Sequence, residues 1–193
     1  AIHTDAGHKA DNSIFGTLSI STTYDVASGE NYPEGISRMA SFDLAHMLAE
    51  GVAHDLSNLL QTNWTRRETW NRNYSETRSP QVPSAILELL SHQNFTDMRY
   101  AHDPWVKFHI ARSIYKSLLR YVNFQHQVTD VVVQPLPVKD MWANLDSEAN
   151  RVTLGWNPTA DPLEPSAMPS QYIVYTKIGS RGFDNGQIVA EPS

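Results

Sequence analysis

Val82-Pro83-Ser84-Ala85-Ile86-Leu87-Glu88-Leu89-Leu90-Ser91-His92-Gln93-Asn94-Phe95-Thr96-Asp97 is the stretch on which the fold reading turns. Pro83 punctuates the chain, and the apolar run behind it has the length of a strand rather than of a helix. Residues 84–90 therefore read as a buried strand. Glu88 interrupts that run. An unpaired buried carboxylate is costly, so a glutamate here is paired, metal-bound or set at a strand end facing a cleft. Arg78 and Arg99 are the cations that a plain salt bridge would use.

Long helical patterns lie on either side. Upstream, Ile36, Ala40, Leu44, Met47, Leu48, Val52, Leu56 and Leu59 recur at helical spacing and predict an amphipathic helix over 36–60. Downstream, Asp103-Pro104 pairs an N-cap residue with proline at the first helical position. The helix it opens has Phe108, Ala111, Ile114, Tyr115, Leu118, Leu119 and Val122 as its apolar face. Nearer the amino terminus, Ile14-Phe15-Gly16-Thr17-Leu18-Ser19-Ile20 is β-rich and reads as a strand. Buried strands alternating with helices give an α/β domain, a mixed sheet flanked by helices, assigned to residues 1–130.

The texture changes over 131–193. Seven of the eleven prolines lie from about residue 133 onward, and short strands replace long helices. Val152, Leu154 and Trp156 alternate with Thr153 and Gly155, as in a half-buried strand. A proline-rich stretch follows, and Tyr172-Ile173-Val174-Tyr175 reads as the next strand. This second domain is all-β.

Composition narrows the chemistry. The 193 residues are 40% hydrophobic and carry a net charge of −6, with 15 scattered basic residues and no basic run. That balance suits a packed core and argues against a nucleic-acid surface. No apolar stretch approaches the roughly 20 residues of a membrane helix. With no cysteine, a metal site must use His, Asp or Glu. Ala1-Ile2-His3 reads like the end of a strand, which predicts that sequence precedes it.

Two segments could carry chemistry together. In Ile2-His3-Thr4-Asp5-Ala6-Gly7-His8, a histidine sits where a strand gives way to a turn. It is either a hydrogen-bonded loop residue or an imidazole presented to a cleft. Glu88 is the other. The segment Ile2-His3-Thr4-Asp5-Ala6 resembles the strand-end histidine motif of the zinc-dependent N-acetylmuramoyl-L-alanine amidases, which cleave peptidoglycan. The run from Val82 to Asp97 resembles that family's closing motif, in which a proline precedes a buried strand, the strand carries a catalytic glutamate, and an Asn and an Asp follow in the next turn. The intervening helix, with Ser37-Arg38 and Leu44-Ala45, falls in the matching order, and the resemblance extends to about residue 123. Exported Bacteroides-type proteins labelled xanthan lyase are similar too, through Asp11-Asn12-Ser13-Ile14-Phe15-Gly16-Thr17 and Glu88-Leu89-Leu90-Ser91-His92-Gln93-Asn94.

The amidase resemblance implies a Zn2+ site in the complete parent domain, with His3 matching a zinc ligand and Glu88 matching the general acid/base. It implies two further ligands upstream of Ala1; Asp5 and His8 are the local candidates to supplement His3. His92 reads as a turn residue capping a helix. The implied substrate is the amide between N-acetylmuramic acid and L-alanine in peptidoglycan, or another bacterial glycan, in a secreted or periplasmic parent. A polysaccharide lyase is the second reading, with Tyr74, Arg78 and His92 as candidates, and a non-catalytic glycan-binding or adhesion module is the third. Arg151 to Trp156 and Tyr172 to Tyr175 resemble the second and third strands of a fibronectin type III sandwich, incomplete at its carboxyl end. The resemblance leaves both domains incomplete, which predicts sheet edges open to self-association and a chain that is catalytically silent by itself.

Overall fold

The computed structural model describes residues 1–5 and 13–190. The chain forms two compact units, Ala1–Thr129 and Asp130–Ser193. The first contains β1 (Ile2–Asp5), β2 (Thr17–Ser21), α1 (Met39–Leu60), β3 (Trp70–Asn71), α2 (Ser75–Arg78), β4 (Ile86–Ser91), α3 (Phe95–His102) and α4 (Pro104–Gln125). The strands make a mixed sheet in the order β1-β4-β2-β3. β4 runs parallel to β1 and antiparallel to β2, and β2 runs parallel to β3.

β4 bears out the buried strand, though over Ile86–Ser91 rather than 84–90, with Ile86 and Leu87 both almost fully enclosed. Its alternation divides the unit. Leu87 and Leu89 join the main core with Leu44, Leu48, Val52 and Leu56 of α1 and Val106, Ile110 and Tyr121 of α4. Ile86 instead packs with Leu18 and Ile20 in a small cluster of its own. Register explains the division, since Ile86 lies opposite Ile20 and Leu87 opposite Ser19. The alternation breaks at Leu90, whose φ is +63°, beside a register shift between β1 and β4. This bulge-like kink returns Leu90 to the helix side, so Leu89 and Leu90 both reach the main core.

Three expectations shift. β2 begins at Thr17 rather than Ile14, because Gly16 turns with φ +80° and a Cβ there would stand 2.1 Å from the Thr65 carbonyl oxygen. α1 begins at Met39 rather than residue 36, because the preceding residues are engaged in extended pairing. Asn31 bridges Ser37, Tyr32 N–H donates to the Ile36 carbonyl, and Arg38 N–H donates to that of Glu30. The apolar face assigned to α4 is the larger correction. Its buried positions are Val106, Ile110, Ser113, Lys116, Ser117 and Tyr121, whereas Phe108, Ala111, Tyr115, Leu118 and Val122 are exposed. Small residues decide this. Gly51 of α1 lies against Ser117, where an added Cβ would meet Oγ at 2.1 Å, so the helices pack at close range through residues that a hydrophobicity pattern counts as polar. Lys116 is tolerated there because its Nζ lies 2.7 Å from Asp55, which also accepts a 2.6 Å bond from Ser113. Asp103 caps α4 as expected, accepting from Trp105 N–H at 2.8 Å.

The second unit holds β5 (Lys139–Asp146) paired antiparallel with β6 (Arg151–Asn157), and β7 (Tyr172–Val174) paired antiparallel with β8 (Gln187–Val189). Trp156 of β6 meets Tyr172 of β7 edge to face at 5.3 Å. Among the described residues no helix is long and apolar enough to cross a membrane.

Candidate functional site

His3 and Glu88 are register partners on adjacent parallel strands. Such partners project to the same side of a sheet, so the imidazole and the carboxylate rise next to each other from the face opposite the main core. Leu18 completes the row as Glu88's partner on β2. The apolar cluster of Leu18, Ile20 and Ile86 lies beside Glu88, which is half-buried.

The immediate surroundings of Glu88 set its protonation. Burial raises its pKa above the ordinary carboxylate value, and the negative charge of Asp5 and a hydrogen bond with the Asp5 carboxyl raise it further. Arg67 and His3 pull the other way. Arg67 is the cation of the site: its Nη2 donates to the buried Asp5 carboxylate at 2.5 Å. The backbone holds it there, because Arg67 N–H donates to the Thr17 carbonyl while Thr17 N–H donates to that of Thr65. Neither Arg78 nor Arg99, the cations expected for a simple salt bridge, acts on Glu88. Nothing in residue spacing singled out Arg67, since its role depends on a loop that runs beside β2.

The residues after β4 support the site from below. Asn94 caps α3 by accepting from Asp97 N–H at 3.1 Å. Asp97 Oδ2 accepts from Gly16 N–H at 3.0 Å and Ser91 N–H at 2.7 Å, tying the entrance of β2 to the end of β4. His92 does not cap the helix; it sits in the turn and its N–H donates to the Asp5 carbonyl. Of the lyase candidates, Arg78 is on α2 with Tyr74 at that helix's start, and His92 follows β4. His8, with Asp11 and Asn12, lies outside the described residues.

A zinc site needs about three protein ligands. Among the described residues no three His, Asp or Glu side chains converge in that way. Asp5 is committed to Arg67 and Glu88, which leaves His3 as the ligand these residues offer. Zinc does not fit the described residues by themselves. What they do provide is a half-buried carboxylate with a raised pKa beside an imidazole, an arrangement suited to accepting a proton and returning it.

No family model matches the sequence, and no curated protein matches it. Solved structures do match. An N-acetylmuramoyl-L-alanine amidase from Clostridium difficile 630 aligns with a TM-score of 0.50 at 14% identity, covering 63% of this chain and 55% of that one. The CwlD amidase from Clostridioides difficile, solved in complex with the GerS lipoprotein, aligns at 0.50 and 16% identity, covering 64% and 53%. An N-acetylmuramoyl-L-alanine amidase of Nostoc punctiforme aligns at 0.50 and 13%, covering 63% and 56%. The chain thus spans about half the length of the structures it matches, and what it shares with these amidases is their fold.

Proposed function

We propose that the first unit is part of the catalytic domain of an N-acetylmuramoyl-L-alanine amidase-type hydrolase, with Glu88 as general acid/base. The observation that carries this reading is the pairing of His3 and Glu88 across β1 and β4. In this proposal Glu88 takes a proton from the attacking water and returns it to the leaving amine. The raised pKa serves the first half of that cycle, because a carboxylate with greater proton affinity is the stronger base, and it keeps the proton at hand for the leaving amine. Arg67 holds the neighbouring Asp5 in place through their ion pair, and Glu88 is the carboxyl proposed to exchange the proton. His3 is proposed as one zinc ligand, with the others supplied from outside the described residues.

On the same reading the substrate is the muramoyl–alanine amide of peptidoglycan and the complete protein acts outside the cytoplasm. The second unit is proposed as part of a fibronectin type III-like sandwich. Its two antiparallel strand pairs and the Trp156–Tyr172 contact between them support that assignment.

The test is amide cleavage of a muramoyl-peptide, with zinc supplied, by this chain and by a longer protein that contains it. The longer protein is expected to turn over and the 193-residue chain to be silent. Glu88→Gln in the longer protein is expected to lower kcat by about 10²–10⁴-fold with zinc content unchanged. Full activity in that variant removes Glu88 from the chemistry, and a longer protein that binds muramoyl-peptide without cleaving it favours the glycan-binding alternative.

A further inference from the structure

A second polar site shares no lining residue with the His3–Glu88 pair. Arg38, just ahead of α1, is 3% exposed. Its guanidinium stacks on Tyr32 at 4.4 Å, and its Nη2 donates to Ser28 Oγ at 2.9 Å and, at 3.4 Å, to the Arg78 carbonyl. Among the described residues Nε and Nη1, both fully buried, have no hydrogen-bond partner. Among the described residues no carboxylate lies within ion-pair distance of Arg38 or of Arg78. A buried cation without a counter-ion is rare, because desolvation is repaid only when an opposite charge or a full set of acceptors is supplied.

The surroundings show what would supply it. Arg38 lines a cavity of about 280 Å³ together with Arg78, Ser28, Ser79, Gln81 and Asp25. Asp25 is the one acid in the lining, and it is occupied by the Ser28 hydroxyl at 3.2 Å. Two guanidinium groups against one carboxylate leave a net charge of one positive unit. The 22-residue α1 begins at this point with no acidic residue in its first turn and no side-chain cap, so its positive end adds to the same field. The first helical N–H groups already have partners, since Met39 donates to Ser37 Oγ and Ala40 to the Ser37 carbonyl. The donors that face a guest are therefore those of the exposed Arg78 and the neighbouring hydroxyl and amide side chains, with the buried Arg38 guanidinium supplying charge from beneath. The space holds a phosphate-sized anion with ordered water.

We propose that this pocket is a binding site for a small oxyanion, a carboxylate or a phosphate group, held by Arg38 from beneath and Arg78 from the rim. The proposal is independent of any hydrolase activity. The probes are inorganic phosphate and acetate, titrated into the 193-residue chain against sodium chloride at matched ionic strength. The readout is the Arg38 Nε–H resonance in a sample labelled at arginine, assigned through its loss in Arg38→Lys. This resonance is expected to move saturably with at least one of the two anions and not with chloride. Response to phosphate alone assigns a phosphate group, response to acetate alone a carboxylate, and response to both a site that reads charge. Because Arg38 is buried and its replacement risks the fold, affinity is compared in Arg78→Gln, whose side chain is exposed. That variant is expected to keep its melting temperature in chloride and to weaken binding about tenfold. A resonance unmoved by both anions, or equal affinity in Arg78→Gln, overturns the proposal.

Discussion

At the scale of single residues, the site is a balance of charges around one proton. Glu88 is pushed toward its neutral form by burial first and by Asp5 next, and Arg67 opposes both. Two substitutions should therefore move its titration in opposite directions. Asp5→Asn removes a raising influence and is expected to lower the Glu88 pKa, while Arg67→Gln removes a lowering one and is expected to raise it; carboxyl 13C shifts followed against pH report both. Stability follows the same sign. A carboxyl whose folded pKa is raised binds its proton more tightly in the native state than in the unfolded chain. Its stabilising contribution is full below the ordinary carboxylate value of 4.5 and is lost as pH rises through the folded value. Glu88→Gln stays neutral throughout. Its melting temperature relative to wild type is expected to climb between about pH 4 and neutrality, and a difference that stays flat over that range would show that Glu88 ionises freely. The presence of an unusual carboxylate was legible in the sequence, since a glutamate inside an apolar run has few innocent explanations. Its partners were not, because Asp5 and Arg67 reach it through sheet register and a loop, neither of which leaves a periodic trace.

At the scale of elements, structure is legible in the sequence where chemistry and periodicity coincide and hidden where small polar residues do the packing. The apolar run of β4 and the Asp-Pro start of α4 are local signals and appear where expected. The face of α4 is not a local property. Ser113, Lys116 and Ser117 are buried because α1 offers Gly51 and Asp55 opposite them, and that pairing is invisible until the helices are docked. The Asp55–Lys116 pair gives a sharp test. Lys116→Met leaves a buried aspartate without its cation and is expected to cost about 3–5 kcal/mol. Combining it with Asp55→Leu removes the stranded charge and is expected to restore most of that loss. Urea unfolding of the two variants distinguishes this from simple loss of packing, for which the double variant would be the less stable one. Asp97 offers a second test at this scale. It satisfies two backbone N–H groups from different strands, so Asp97→Ala is expected to destabilise the first unit by about 2–3 kcal/mol, read from the same unfolding curves.

At the scale of the whole molecule, the apolar surface left over after folding is the feature that most constrains behaviour in solution. Among the described residues β1 stands at the margin of its sheet, with no strand paired to one side of its backbone. Beside it, Ile2, Leu89, Leu90, Ile110, Ala111 and Ile114 line an open groove of about 610 Å³. Elsewhere on α4, Phe108, Leu118 and Val122 remain 42–50% exposed at helical spacing, which makes the exposure a stripe rather than a scatter. A contiguous apolar stripe next to an unpaired strand edge favours association, because burying it releases water and pairing the edge satisfies backbone groups at the same time. The chain is therefore expected to self-associate reversibly with concentration. Leu118→Lys combined with Val122→Lys should shift sedimentation toward monomer while changing unfolding free energy by about 1 kcal/mol at most, since both side chains are already about half in solvent. The second unit has exposed apolar residues of its own, Ile188 among them. Ile188→Lys is the matched control: if it abolishes association and the α4 pair does not, the contact belongs to the second unit and the α4 stripe is inert, whereas a chain that is monomeric at every concentration removes both surfaces from consideration.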